Sequence, residues 1–316
     1  MKIIIAFILL MTSFLNSQFT KHMVTDNIKF VSGEEAKILM TTDDSFTKSW
    51  SQFDIDSRLG KSGSTKDELF DHIRKQVLDW TDKEKADIKS IVSDILNNIN
   101  ELKLKINFPD KILFVKTTSQ EEGGAFGYTR ENYIVLSKDI KSASPDNLKR
   151  LIAHELFHVL SRHDRSFKKK MYEIIGFKLM ENIAYPKGLK ELRITNPDAT
   201  LTDSYITVMV EGEQVDCTMI LYASKEYEGG SFFKYLNVGF LKLIGDDIKM
   251  GAIEAGLPVI YKQNELSNFI EQVGQNTGYM IHPEEIMADN FSFAVLRKSD
   301  LKSPEIVEKI IATLQE

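Results

Sequence analysis

The sequence predicts an α+β fold in which helices pack on a small mixed sheet and a strand-rich insertion separates two late helices. The chain has 316 residues, enough to bury one large core or two modest ones. Apolar residues recur at helical spacing early and late in the chain, and short β-branched runs stand between them. The formal net charge of −6, without long basic runs, predicts no nucleic-acid partner. The oligomeric state is left open.

Residues 1–17 have the pattern of a secretory signal peptide. Lys2 supplies a positive charge, residues 3–15 form an apolar run of about 13 residues, and Ser17 precedes a plausible cleavage point. A transmembrane helix needs about 20 residues, so an uncleaved membrane anchor is the less favoured alternative. We therefore expect an exported protein, secreted or periplasmic, with no stable membrane insertion after cleavage.

The part from 18 to 110 is predicted to be mainly helical and to pack on the core. A possible strand at 28–31 is followed by a helix over 65–80. A second helix begins at the capping box of Thr81 and Glu84, and its apolar residues recur at three- and four-residue steps.

The core region, 111–185, begins with short strands and then becomes helical. Strands are predicted at 112–115, 125–129 and 133–136. Ser144 and Pro145 fit the first positions of a helix that reaches about Arg162, and another helix is predicted over 166–184.

Two further regions follow, an insertion at 186–280 and a C-terminal helical part at 281–316. Their predicted elements are strands from 190 to 225 with a hairpin turn at 211–213, and helices over 265–273, over 283–297 and from Ser303 onward.

The chemistry centres on an HExxH run at residues 154–158. The imidazoles of His154 and His158, four residues apart, lie on one helix face and can bind one metal ion. Glu155 flanks them and can accept a proton from a water molecule whose pKa a zinc ion lowers to about 7. The single cysteine, Cys217, excludes a cysteine-based metal cage. The alternative interpretation is a partly exposed helix with a chance pair of histidines.

A catalytic zinc site needs a third protein ligand, and one candidate lies just after the motif. Asp164 stands where a metzincin has its third ligand, and His163 is one position away from that register. Ser161, however, replaces the glycine with which a metzincin turns the chain. We therefore favour a helix end and a loop at these positions.

The better candidate lies near the C-terminus, where Pro283 begins a predicted helix. Glu285 and Asp289 lie four residues apart on one face of it. This pattern resembles the second helix of thermolysin-like gluzincins, in which a glutamate binds zinc and an aspartate hydrogen-bonds a ligand histidine. Glu284 is the fallback ligand, although its spacing to Asp289 does not fit that pair. A solvated acidic helix start is the alternative interpretation.

The resemblance to the gluzincins implies a complete set of roles. Zn²⁺ is bound by His154, His158 and Glu285, Glu155 is the general base, and Asp289 hydrogen-bonds a ligand histidine.

The same resemblance implies a zincin-like core whose edge strand, 125–129 or 133–136, pairs with an extended substrate. The β-containing insertion then lies between the two metal-ligand helices. Glu181 is closer to the motif and is a minor alternative ligand, but no acidic partner follows it.

A donor for the oxyanion of the transition state is also required. Tyr279, His282 and Tyr128 are candidates because they flank the two motifs. No spacing argument supports them, so a structural role for each stays the leading alternative.

These expectations together describe an exported zinc metallopeptidase that hydrolyses peptide bonds in a peptide or protein substrate. Two alternatives stay open: a non-catalytic, zinc-stabilised binding module, and a zinc hydrolase acting on a non-peptide amide. An intact Glu155 argues against the binding module, since a structural site needs no base.

Overall fold

The computed structural model describes residues 27–316, and the predicted signal peptide, 1–17, lies outside this range. The helices are α1 (Gly33–Met40), α2 (Ser45–Ser49), α3 (Gln52–Leu59), α4 (Lys66–Gln76), α5 (Asp82–Glu101), α6 (Pro145–His163), α7 (Arg165–Ile174), α8 (Phe269–Val273), α9 (Pro283–Val295) and α10 (Pro304–Gln315). The strands are β1 (Ile28–Val31), β2 (Val77–Leu78), β3 (Ile112–Thr117), β4 (Gly127–Arg130), β5 (Tyr133–Ser137), β6 (Phe177–Leu179), β7 (Ser204–Val210), β8 (Glu213–Ala223), β9 (Leu236–Ile244), β10 (Met250–Gly251), β11 (Ile253–Glu254), β12 (Leu257–Pro258) and β13 (Ile260–Tyr261).

The first sheet is mixed, with strand order β1-β3-β5-β4 and with β2 paired to the end of β3. β1, β3 and β5 are parallel, whereas β4 runs antiparallel to β5 and forms the edge of the sheet. The α+β class predicted from the sequence is confirmed. Of the two strands predicted as the sheet edge, 125–129 and 133–136, the first corresponds to β4, which is the edge, and the second to β5, which is internal.

Helices cover both faces of this sheet. Successive β3 residues point to opposite faces, so Phe114 joins the core beneath α5 and α6, while Val115 joins the core beneath α1 and α4. The capping box predicted at Thr81 and Glu84 is present. The periodic apolar face of α5 is buried, as predicted: Ile88, Val92, Ile95, Leu96 and Ile99.

The second sheet is antiparallel, with strand order β10-β9-β8-β7-β6, and β13 pairs with β9. The predicted hairpin joins β7 to β8, with Glu211 and Gly212 both at positive φ (50° and 89°). The helix predicted over 166–184 is wrong beyond Ile174. Gly176 has φ 79°, a left-handed conformation that ends a helix, and β6 follows directly. The helix predicted over 265–273 is also shorter, since only α8 forms there.

The site is positioned by the packing of α9 against α6. Every residue of α9 from Pro283 to Val295 is buried, and α10 covers its outer side. Proline stands at the first position of α6, α9 and α10, as the sequence predicts. Among residues 27–316 no helix is both long and apolar enough to cross a bilayer.

Candidate metal centre

Two helices bring three candidate ligands together. His154 and His158 lie on the buried face of α6, and Glu285 reaches them from the first turn of α9. Oε2 of Glu285 lies 3.1 Å from Nε2 of His154 and 3.6 Å from Nε2 of His158. One ligand atom from each residue falls within 4.8 Å of the others, and all three residues are buried. The cluster could therefore hold a metal ion.

The outer nitrogen of His154 contacts a carboxylate of the same helix α9. Nδ1 of His154 lies 3.0 Å from Oδ1 of Asp289. Asp289 itself accepts hydrogen bonds from the Thr277 hydroxyl at 2.5 Å and from the Arg150 guanidinium at 2.9 Å. The ring orientation of His154 is thus held, with Nε2 turned towards the cluster.

The outer nitrogen of His158 is matched in the same way by Glu284. Nδ1 of His158 lies 3.2 Å from Oε1 of Glu284, and the same oxygen accepts a hydrogen bond from the Ser161 hydroxyl. The other oxygen, Oε2, accepts one from the Tyr172 hydroxyl at 2.5 Å. Glu284 is the fallback ligand predicted from the sequence. The structure instead places it on the far side of the ring, because consecutive helical residues point about 100° apart.

The electrostatics of the cluster favour a positive charge at its centre. Although burial opposes it, hydrogen bonds to Asp289 and Glu285 raise the pKa of His154 to about 9. Burial also lowers the pKa of His158, but the carboxylates around it have the larger effect, so this pKa is well above its usual value. The neighbouring imidazoles hold the pKa of Glu285 well below its usual value, against the effect of burial.

A cation fits the residues present. Nε2 of His158 is buried and has no hydrogen-bond partner among the described residues. A buried polar atom of this kind is uncommon in folded proteins and marks a place for an ion or ligand. Two imidazole nitrogens and a carboxylate oxygen form a ligand set that several divalent metals accept, so the donor atoms do not by themselves identify the metal.

Glu155 faces the edge strand of the first sheet. Its Oε2 accepts a hydrogen bond from the Thr129 hydroxyl at 2.8 Å. A Cβ atom on Gly127 would lie 3.0 Å from Oε1, a tight contact that would require the carboxylate to shift. Burial raises the pKa of Glu155, opposed by the nearby histidines. A buried carboxyl whose pKa is raised is suited to accept and return a proton.

A loop residue missed by the sequence analysis also reaches the cluster. The Asn196 side chain donates a hydrogen bond to Oε1 of Glu285 at 2.6 Å. Asp198, two residues later, forms a second group of possible ligands with Glu155 and His158, again with the atoms within 4.8 Å. The loop has no periodic pattern that would have marked either residue.

The three candidate oxyanion donors lie in different places. Tyr279 lines a cavity of about 170 Å³ beside Asp198 and is 48% exposed. His282 is buried as the N-cap of α9, where its Nδ1 accepts the Glu284 backbone N–H, and burial lowers its pKa to about 4. The Tyr128 hydroxyl donates to Glu121, on the sheet face opposite Thr129. Only Tyr279 is placed beside the cluster.

The alternative ligands lie outside the cluster. Asp164 is the N-cap of α7 and accepts the backbone N–H groups of Ser166 and Phe167. His163 and Glu181 are exposed. The residues of the metzincin-like register, His163 and Asp164, therefore lie where α6 ends and α7 begins.

Comparison with known proteins adds one partial similarity. The family model described as the eCIS core domain matches residues 115–166, which run from within β3 to the start of α7 and include the HExxH run. The matched stretch is less than half of the chain. No curated protein and no solved structure matches. Over residues 115–166 the chain is therefore similar to the eCIS core domain, and this stretch contains both the edge strand and the motif helix.

Proposed function

We propose that this protein is an exported zinc metallopeptidase of the gluzincin type with a zincin-like core. The observation that carries the proposal is the arrangement of Glu155 beside a buried pair of histidines and a glutamate. His154, His158 and Glu285 would hold Zn²⁺, and two histidines with one glutamate are a ligand set known from catalytic zinc sites. A zinc ion in such a site polarises a carbonyl and makes a water molecule acidic.

Each residue around the cluster has a proposed role in the reaction. Glu155 accepts a proton from the attacking water molecule and then passes it to the leaving amine, and its position and raised pKa suit both transfers. Asp289 and Glu284 keep the two imidazoles oriented. The Tyr279 phenol is the candidate donor to the oxyanion. Partial burial and the nearby carboxylates raise the pKa of this half-exposed side chain, so that it stays protonated.

The sheet edge supports a peptide as the substrate. β4 is antiparallel to its neighbour, lies at the edge and passes beside Glu155 through Gly127 and Thr129. An extended peptide can add to such an edge as a further strand. The stretch that is similar to the eCIS core domain includes β4 and α6.

The test combines metal analysis with hydrolysis. We expect purified protein to contain one zinc and to cleave members of an unstructured peptide library. Glu155→Gln should keep the zinc and lower kcat by about 10²–10⁴-fold, the usual contribution of a general base. The matched control is Glu308→Gln, which makes the same change on an exposed face of α10.

Other outcomes separate the alternatives. Zinc binding without turnover of any peptide would favour the non-catalytic binding module. Turnover confined to small non-peptide amides would favour the other hydrolase. Equal activity of Glu155→Gln and wild type would overturn the proposed role of the base.

A further inference from the structure

The outer edge of β4 has backbone groups that a substrate would need. The Phe126 carbonyl accepts a hydrogen bond from the Ser137 N–H at 3.0 Å, so the backbone groups of Phe126 face β5. Because these directions alternate along a strand, those of Gly127 and Thr129 face outward. An added peptide strand would take up these outward groups, beginning with the Thr129 N–H.

A segment of the same chain, residues 195–198, already contacts this edge; we name it the occluding segment. Oδ1 of Asp198 accepts the Thr129 N–H at 2.6 Å. At the other end, the Asn196 side chain contacts Oε1 of Glu285 at 2.6 Å. The occluding segment therefore contacts both the substrate edge and a candidate metal ligand.

The segment is anchored to the body of the protein at both ends. The Thr195 N–H and hydroxyl donate to Asp54 at 2.9 and 2.7 Å, and its carbonyl accepts from Arg58 at 2.9 Å. The Arg162 guanidinium donates to the last two carbonyls of the segment, each at 3.0 Å. The side chains of Asn196 and Asp198 are thus held against the site by hydrogen bonds that water or a peptide can replace.

Two cavities meet at this segment. One, of about 170 Å³, is lined by the whole occluding segment and by Gly127 and Tyr279. The other, of about 330 Å³, lies beyond Asp198 and is lined by Ser161 and Arg162. Asp198 lines both cavities, so the segment lies between them.

We propose that the occluding segment is an autoinhibitory element that fills the peptide-binding edge of β4 and is displaced when a substrate binds. This inference rests on the metallopeptidase function proposed above and concerns the regulation of the same site. The carboxylate of Asp198 and the carboxamide of Asn196 occupy the positions of an incoming peptide's polar groups. Substrates must therefore compete with them, and the intact chain hydrolyses peptides slowly.

The test uses a peptide hydroxamate, which binds zinc and the substrate edge together. Binding is measured by calorimetry on zinc-loaded protein in the Glu155→Gln background, in which turnover is expected to be about 10²–10⁴-fold slower. We expect Asn196→Ala and Asp198→Ala each to bind the hydroxamate at least tenfold more tightly than the background protein. The control Asp110→Ala, at an exposed aspartate before β3, should bind like the background protein.

The outcomes distinguish this inference from the proposed function. Full zinc content with unchanged or weaker hydroxamate binding in both variants would overturn autoinhibition and leave the metallopeptidase proposal intact. Protein that binds no zinc at all would overturn the proposed function and this inference with it.

A measurement on the unmodified chain covers the case in which a variant fails to fold. Hydrogen exchange is followed in zinc-loaded wild type with and without the hydroxamate. Displacement predicts faster exchange at Asp198 and Ala199 and slower exchange at Thr129 when the probe is bound. Slower exchange at both places would show that the segment stays in position, contrary to the proposal.

Discussion

The two sides of the candidate metal centre are built in different ways. On one side, α9 is buried along its whole length and presents Glu284, Glu285 and Asp289 to the imidazoles through helix–helix packing. On the other side, a loop presents Asn196 and Asp198 through side-chain hydrogen bonds. Packed helices hold side chains rigidly, whereas these two loop side chains are only partly buried and are held by individual hydrogen bonds. Under the proposed function, α9 would supply a ligand and orient the two imidazoles, and the loop would control what reaches the ion.

Among the changes on the α9 side, removal of the Glu285 carboxylate should have the largest effect on zinc affinity. Glu285→Ala leaves two ligands of three, and we expect zinc affinity to fall by more than about 100-fold, beyond the usual loss for an outer partner. Competition with a chelator of known affinity measures the change.

The control for Glu285→Ala is Asp164→Ala. It removes the N-cap of α7 and should cost about 1 kcal/mol of stability while leaving zinc affinity unchanged. The reverse result, with zinc lost from Asp164→Ala and kept by Glu285→Ala, would replace the gluzincin assignment with the metzincin-like register.

A smaller effect is expected from the two outer carboxylates. Asp289→Asn and Glu284→Gln keep the size of each side chain but weaken its hold on a histidine Nδ1. Each should lower zinc affinity by about 10–100-fold, the usual range for such partners. The same chelator competition measures it. A loss in Glu284→Gln as large as that of Glu285→Ala would identify Glu284 as a ligand.

The helix side was predictable from the sequence because its signals are local. The spacing of His154 and His158, and of Glu285 and Asp289, follows from the helical repeat, and each pair lies on a helix that its own cap marks. Only the meeting of the two pairs needed the resemblance to gluzincins. Glu284 could be predicted only as a fallback ligand, because the pattern does not say which side of an imidazole a neighbouring carboxylate reaches.

The loop side could not be predicted, because its contacts join distant parts of the chain. The occluding segment is anchored by Asp54, Arg58 and Arg162, none of which has a periodic relation to it. The nine-residue strand β9 was missed too, and so were β10 to β13, which have only two residues each. Such short strands are stabilised by their partners rather than by their own sequence.

The smallest expected effect is the response of the helix side to pH. The pKa of His154 is about 9 without metal, raised from 6.5, so its contribution to stability is complete below pH 6.5 and is lost as pH rises towards 9. Zinc needs the neutral ring, so its affinity rises over the same interval. We expect the Tm of zinc-free protein to fall by at least about 2 °C from pH 6.5 to 9. The Tm increase caused by added zinc should grow over that interval.

Calorimetric scans at four pH values, with and without chelator, measure both trends. Zinc-free and zinc-loaded curves that run parallel would mean that the metal does not displace these protons, and that the helix side is not the binding site.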